Sequence, residues 1–190
     1  MSDAYIAWYR TRTTESGFLA LADEFQRSGI SIRHPNLGTG ILLNADGDQV
    51  RMSVERIAEL VGLAVACLNV EWWLTADVDV TCRFTYEPLG GECQTYYLDG
   101  LSADEVACVE EVILRQVSRQ PELTDALIVD RSGASAEVDW DEQVLGGPTE
   151  LTVSPDLMIL PHARIREIGG VLQRGRVEEY DSRLSIYRKR

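Results

Sequence analysis

Alternating apolar and polar residues predict a β-strand over residues 77–86, in the middle of the chain. A period of two is typical of a strand that is buried on one face and open on the other. Residues 88–91 follow with turn chemistry, and a second strand-like stretch runs to Tyr97. We therefore predict a β-hairpin. Its first strand presents these apolar residues on one face: Val78, Val80, Cys82, Phe84 and Tyr86.

The pairing within this hairpin decides which side chains reach solvent. We place Glu87 opposite Glu92, so that Cys82 faces Tyr97 and one apolar face continues across both strands. The other face is then polar and open. We predict that it carries the first part of a partner-binding surface: Asp77, Asp79, Arg83, Gln94 and Tyr96.

Three helices are predicted from their starting residues. Ser102 and Glu105 have the spacing of a capping box, and apolar residues recur at helical spacing as far as Val117. Thr14 and Ser53 precede similar patterns and predict two further capped helices. Each of these helices has an apolar stripe, so we expect it to pack on the sheet.

The other segments have the composition of strands and turns. We predict strands at 5–12, 30–33 and 183–188, and hairpins at 40–52 and 125–140. Together these elements indicate an α+β fold with a largely antiparallel sheet and two or three packed helices, in a single domain over residues 1–190. The pattern also fits two β-α-β-β halves, a duplication of 4–52 in 76–142, although two unrelated stretches would fit nearly as well.

Carboxylates are the abundant chemical groups of this chain. Glu137, Asp139 and Asp141 alternate along the strand predicted at 136–140, and we assign them to the same partner-binding surface. Two such acidic strands side by side could instead hold a divalent cation or act as an acid–base pair. Solvated surface carboxylates are far commoner than metal sites, so we predict no cofactor and no metal.

Aromatic residues offer a second binding feature. Trp72 and Trp73 are adjacent, so a strand would place one ring on each face of the sheet. An exposed tryptophan or tyrosine among acidic residues is a typical hot spot of a protein interface. Helices that cover both faces of the sheet would explain the same residues without an interface.

Charge is unevenly distributed along the chain. The net charge is −13, and residues 70–150 hold 4 arginines against 18 acidic residues. This acidic middle disfavours nucleic acid and anionic membranes as partners and favours a basic protein. No apolar stretch is long enough to cross a membrane, and the first residues do not have the pattern of a signal peptide, so we expect a cytoplasmic protein.

Few residues are available for common catalytic chemistry. Histidine occurs only at positions 34 and 162, and no nucleotide-binding, metalloprotease or hydrolase motif is present. The four cysteines include no C-x-x-C pair, which favours buried free thiols over disulfides. We therefore favour a binding protein over an enzyme.

The leading hypothesis is an acidic inhibitor of the immunity type, which neutralises a basic enzyme such as a toxin. A structural or regulatory subunit of a larger assembly is the second hypothesis, and a carboxylate-based enzyme or metal-binding domain is the third.

Overall fold

A single antiparallel sheet organises the chain. The structure, a computed structural model, describes residues 4–64, 67–86, 91–147, 151–169, 172 and 175–190. Within these residues ten strands pair in the order β3-β2-β4-β5-β6-β1-β7-β8-β10-β9. The strands are β1 (Tyr5–Thr11), β2 (Gly40–Leu43), β3 (Gln49–Met52), β4 (Leu68–Trp73), β5 (Asp79–Tyr86), β6 (Gly91–Tyr97), β7 (Thr124–Asp130), β8 (Leu157–Pro161), β9 (Gly175–Glu179) and β10 (Leu184–Lys189).

Five α-helices pack on this sheet in the described part of the chain, and the α+β class with an antiparallel sheet is confirmed. The helices are α1 (Glu15–Arg27), α2 (Val54–Leu63), α3 (Ala103–Arg119), α4 (Trp140–Leu145) and α5 (His162–Ile168). The predicted caps are present. Thr14 and Ser53 accept hydrogen bonds from the third amide beyond them, and Ser102 and Glu105 form the full capping box.

The sheet has two differently covered faces. On the first, which we call the three-helix face, α1, α2 and α3 bury an apolar core that includes Phe25, Trp72 and Ile113. On the second, the two-helix face, α4 and α5 cover a smaller core that includes Tyr5, Met158 and Ile168. Central strand β1 contributes to both cores.

The two adjacent tryptophans point to opposite faces of strand β4, as the alternation of a strand requires. Trp72 packs in the three-helix core, with the ring of Phe25 centred 4.6 Å from its own. Trp73 is buried as well, and its ring lies 4.2 Å from that of His34. Neither ring is the exposed hot spot that the sequence allowed.

The central hairpin pairs one residue out of the predicted register. Tyr96 lies opposite Cys82, and Glu92 lies opposite Tyr86. A shift of one residue moves every side chain of a strand to the other face. The predicted pairing of Cys82 with Tyr97 is therefore wrong. The turn that should have fixed it, with Glu87, lies in 87–90, outside the described residues.

Residues 131–145 do not form the predicted returning strand. They turn and enter α4, whose N-cap is Asp139; the Asp139 carboxylate accepts a hydrogen bond of 2.9 Å from the amide of Glu142. Carboxylates at and just after an N-cap stabilise a helix start, so Asp139 and Asp141 belong to the start of α4 rather than to a strand face. The second stretch of the proposed duplication therefore lacks its final hairpin.

The four cysteines are free thiols, but one is not shielded. Cys82 and Cys93 are buried on opposite faces of the hairpin, Cys108 is half-buried, and Cys67 is exposed. Within the described residues, none of the helices is long and apolar enough to span a membrane.

Candidate functional site

Among the described residues, part of the two-helix face carries no helix. Strands β5 and β6 present buried residues on the three-helix side and, apart from buried Cys93, half-buried or exposed residues on this side. Arg83 and Tyr97 are exposed there, and three threonines between them are half-buried. We call this surface the open strip: Thr81, Arg83, Thr85, Thr95 and Tyr97.

A groove of about 530 Å³ lies where the open strip meets the segment before α4. Strands β1 and β6 form its floor, and residues 136–141 form one wall. We call it the acidic groove. Besides Ala7, Ala136 and Val138, its lining consists of Tyr5, Tyr9, Thr95, Tyr97, Asp99, Glu137, Asp139, Trp140 and Asp141.

A buried carboxylate holds the wall in place. Asp130, at the end of β7, is fully buried. It accepts hydrogen bonds from the amide and hydroxyl of Ser132, both at 3.1 Å, and from those of Ser135, at 2.5 and 2.6 Å. Burial alone would raise the pKa of the Asp130 carboxyl, but these hydrogen bonds outweigh it and hold the pKa below its usual value. The loop that leads to Glu137 is therefore fixed by an ionised group.

Two tyrosines of β1 tie the wall to the floor. The Tyr9 hydroxyl donates a hydrogen bond of 2.6 Å to Oδ1 of Asp141. The Tyr5 hydroxyl accepts one of 2.5 Å from the indole of Trp140 and lies 3.0 Å from the hydroxyl of Ser135. Burial raises the pKa of both tyrosines, and for Tyr9 nearby Cys93 and Asp141 raise it further. Both phenols are therefore neutral and serve as hydrogen-bonding groups.

The groove is strongly negative. Four carboxylates line it, from Asp99, Glu137, Asp139 and Asp141, and all four residues are exposed. Its described lining includes no arginine, lysine or histidine. The side chain of Tyr97 stands at its edge with 40 % of the residue exposed. An aromatic ring beside exposed carboxylates matches a guanidinium or ammonium group in both charge and stacking.

The structure separates the predicted partner-binding residues into four groups. Glu137, Asp139 and Asp141 lie together in the groove, on the wall before and at the start of α4. Arg83 belongs to the open strip, where its Nε donates to Sγ of Cys67 at 3.1 Å. Asp77 is exposed in the turn before β5, and Asp79 is half-buried at the start of that strand.

Gln94 and Tyr96 form the fourth group, and their predicted exposure is wrong. Both are fully buried on the three-helix face because of the one-residue shift in register. The Tyr96 hydroxyl donates to Oε1 of Gln94 at 2.8 Å, and Nε2 of Gln94 donates to Oε1 of Glu92 at 2.6 Å. Burial raises the pKa of Tyr96 well above its usual value.

The groove residues that were not predicted from the sequence include Tyr5, Tyr9, Tyr97 and Asp99. Tyr97 would have been found from the correct hairpin register, since it is the residue next to Tyr96. Tyr5 and Tyr9 in β1 alternate with Ile6 and Trp8, so the sequence could have predicted that both tyrosines lie on the same face of the strand. Nothing local indicated that α4 would bring its carboxylates to that face.

Comparisons with family models, with curated proteins and with solved structures found no match to this chain. In the part of the chain that the structure describes, no three His, Cys, Asp or Glu side chains are arranged to hold a metal ion.

Proposed function

We propose that the protein is an acidic binding protein of the cytoplasm that neutralises a basic enzyme, such as a toxin, in the manner of an immunity protein. The observation that supports this best is the acidic groove, in which four exposed carboxylates surround an aromatic floor and lack basic partners among the groove's lining. A positively charged surface is the complement of such a site.

The groove and the open strip have separate roles in this proposal. A lysine or arginine of the partner enters the groove, where its charge meets Glu137 and Asp139 and its apolar stem packs on Tyr97. A stable protein interface buries about 800 Å² on each partner, more than one groove offers. The partner therefore also rests on the threonines of the open strip, whose half-buried side chains leave a flat polar surface.

The long-range electrostatic field of the protein should raise the association rate with a basic partner. Residues 70–150, which supply all four groove carboxylates, hold 14 more acidic than basic residues. Fields of this size raise association rates with oppositely charged partners and are screened by salt. The same groove would serve a regulatory subunit of a larger assembly, in which the basic partner is permanently bound.

The experiment is a kinetic measurement against the partner that copurifies with the tagged protein. The test variant combines Asp99→Asn with Glu137→Gln, two exposed groove residues. The control variant combines Asp46→Asn with Glu122→Gln, which removes the same charge at two exposed positions in the β2–β3 turn and after α3. The test variant should associate several times more slowly than the control, and a salt increase from about 0.05 to 0.15 M should narrow the difference.

Equal association rates for the two variants would overturn the proposal, because the groove would then contribute only its share of the net charge. An affinity that does not respond to salt would overturn it as well.

A further inference from the structure

A second cleft, of about 490 Å³, lies on the three-helix face, on the opposite side of the sheet from the acidic groove. Helix α1 and the C-terminal end of α3 form its walls, and the end of β1 lies at its base. We call it the arginine cleft. The basic and amide residues of its lining are Arg10, Arg12, Arg27, Gln116, Arg119 and Gln120.

Arg10 is buried at the base of this cleft with an unsatisfied group. Only 7 % of the residue is exposed, and its Nε has no hydrogen-bond partner in the described part of the chain. The guanidinium carbon lies 4.1 Å from the ring centroid of Trp8. That ring is itself fixed, because its indole donates a hydrogen bond of 3.0 Å to Thr124. The Arg10 guanidinium is thus held in place against the Trp8 ring.

The nearest carboxylate does not satisfy Arg10. Glu92 lies directly across the strand pair, but its oxygens accept hydrogen bonds from the amide and hydroxyl of Thr13 and from Gln94. Burial lowers the pKa of Arg10, and the charge of Glu92 opposes that shift. Leaving a buried guanidinium donor without a partner is costly, and Arg10 lines the cleft, so its guanidinium is positioned to bind an acceptor that enters there.

The mouth of the cleft is also positive. Four arginines line the cleft against two carboxylates, Asp23 and Glu24. Glu24 is already paired with both Arg27 and Arg119. A net positive cleft is unexpected in a chain of net charge −13. It cannot be the docking site of the basic partner.

We propose that the arginine cleft binds the oxyanion group, phosphate or carboxylate, of a small organic ligand, with Arg10 as the anchor at the base and Arg12 at the mouth. Arginine is the side chain best suited to such groups, because its planar fork of N–H donors matches their oxygens. The cleft is too large for a bare ion and has the size of sites for small organic molecules. This proposal is independent of the acidic groove.

The test follows the indole N–H signal of Trp8 by NMR during titration, assigned with Trp8→Phe. The probes are inorganic phosphate, adenosine monophosphate and citrate, each at constant ionic strength set with sodium chloride. We expect a saturable shift of the Trp8 signal with at least one probe, while the Trp140 indole in the acidic groove is unaffected. Stronger binding of adenosine monophosphate than of citrate assigns the site to phosphate ligands, and the reverse assigns it to carboxylates.

Two variants test the anchor and the mouth. Arg10→Met should fold at least as stably as the wild type, because it removes a buried unpaired charge, yet lose the response to every probe. Arg12→Gln with Arg119→Gln changes only exposed groups and should weaken binding roughly tenfold. The matched control is Arg33→Gln with Arg56→Gln, two exposed arginines that lie outside the cleft and are each paired with a glutamate, as Arg119 is.

No saturable shift with any of the three probes would overturn the proposal. So would equal weakening in the control and in the Arg12–Arg119 variant, because the response would then report net charge alone. If Arg10→Met does not fold, the proposal is tested by comparing the Arg12–Arg119 variant with the Arg33–Arg56 control.

Discussion

The hydroxyl of Tyr9 donates a hydrogen bond of 2.6 Å to the carboxylate of Asp141, and this bond joins the middle of the sheet to the first turn of α4. Tyr9 is buried in β1, whereas Asp141 is exposed. The contact spans 132 positions of the sequence. It therefore fixes the wall of the acidic groove against its floor, which a short six-residue helix could not achieve by its own stability.

Removing this bond should loosen the groove. We expect Tyr9→Phe to lower the free energy of unfolding by about 1 kcal/mol, the usual contribution of one hydrogen bond, and to speed amide exchange more in α4 than in α3. Urea denaturation and hydrogen exchange measure the two effects. Tyr180→Phe is the control, because the Tyr180 hydroxyl bonds to the exposed Ser118 hydroxyl at the surface. Equal small losses of stability in Tyr9→Phe and Tyr180→Phe would contradict the role assigned to the bond between Tyr9 and Asp141.

Asp130 should make stability depend on pH in the acid range. Its folded pKa lies below the unfolded value of about 3.9. The contribution to stability is therefore complete above that pH and is lost as the pH falls through the folded pKa. Asp130→Asn should be less stable at neutral pH and should lose less of its remaining stability than the wild type between about pH 5 and pH 2.

The measurement is the urea midpoint across that pH range, and Asp125→Asn provides a control of opposite sign. Burial raises the pKa of Asp125, although Arg183 opposes the shift. Its ionised form therefore disfavours folding at neutral pH, and Asp125→Asn should not lower stability there. If Asp130→Asn lost as much stability as the wild type between about pH 5 and pH 2, another group would control acid unfolding.

Local sequence signals predicted the helices and strands themselves better than they predicted which elements lie side by side in the fold. The caps at Thr14, Ser53 and Ser102 depend on contacts three residues apart, so the sequence contains the whole interaction. The antiparallel class followed from alternation and turns for the same reason. The order of the ten strands depends on contacts between distant residues, and no local pattern encodes it.

In the acidic groove, the residue types could be predicted from the sequence, but their secondary structure could not. Glu137, Asp139 and Asp141 were identified from composition, yet their alternation was interpreted as a strand when it marks a helix start. In the hairpin, both registers give an apolar face, because Tyr96 and Tyr97 are equally suited to burial. The choice between them depends on the turn and on packing against α1, where the rings of Phe25 and Tyr96 lie 6.0 Å apart.

The capping box of α3 gives a prediction of known size. Ser102 Oγ accepts from the Glu105 amide, and the Glu105 carboxylate accepts from the Ser102 amide at 2.7 Å. Ser102→Ala leaves the Glu105 amide at the helix start without its acceptor and should cost about 1 kcal/mol. Chemical denaturation measures it against Ser16→Ala, an exposed serine inside the first turn of α1 that is not a cap. Indistinguishable midpoints would place the start of the helix elsewhere.

The thiols should react in the order of their exposure. Native alkylation should modify Cys67 first and Cys108 more slowly, while Cys82 and Cys93 should react only after denaturation. Burial raises the pKa of the Cys82 thiol well above its usual value, which further slows its reaction. Mass spectrometry of the labelled peptides measures the order, with Cys67→Ser as the control that should remove the fast phase. Rapid labelling of Cys82 in the native protein would contradict its place in the three-helix core.

Tyr96 and Tyr97 provide the sharpest test of the hairpin register, because adjacent residues of the same type have opposite environments. Tyr96 is fully buried, so Tyr96→Ala should lower the free energy of unfolding by about 3–5 kcal/mol. Tyr97 is 40 % exposed, so Tyr97→Ala should cost less than about 1 kcal/mol and leave the fold intact. In partner binding, Tyr97→Ala should raise the dissociation rate and leave the association rate nearly unchanged, as the loss of a packed anchor does. Urea denaturation and binding kinetics separate the two effects. A larger loss of stability from Tyr97→Ala than from Tyr96→Ala would restore the register in which Cys82 faces Tyr97, and it would remove the aromatic edge on which the acidic groove depends.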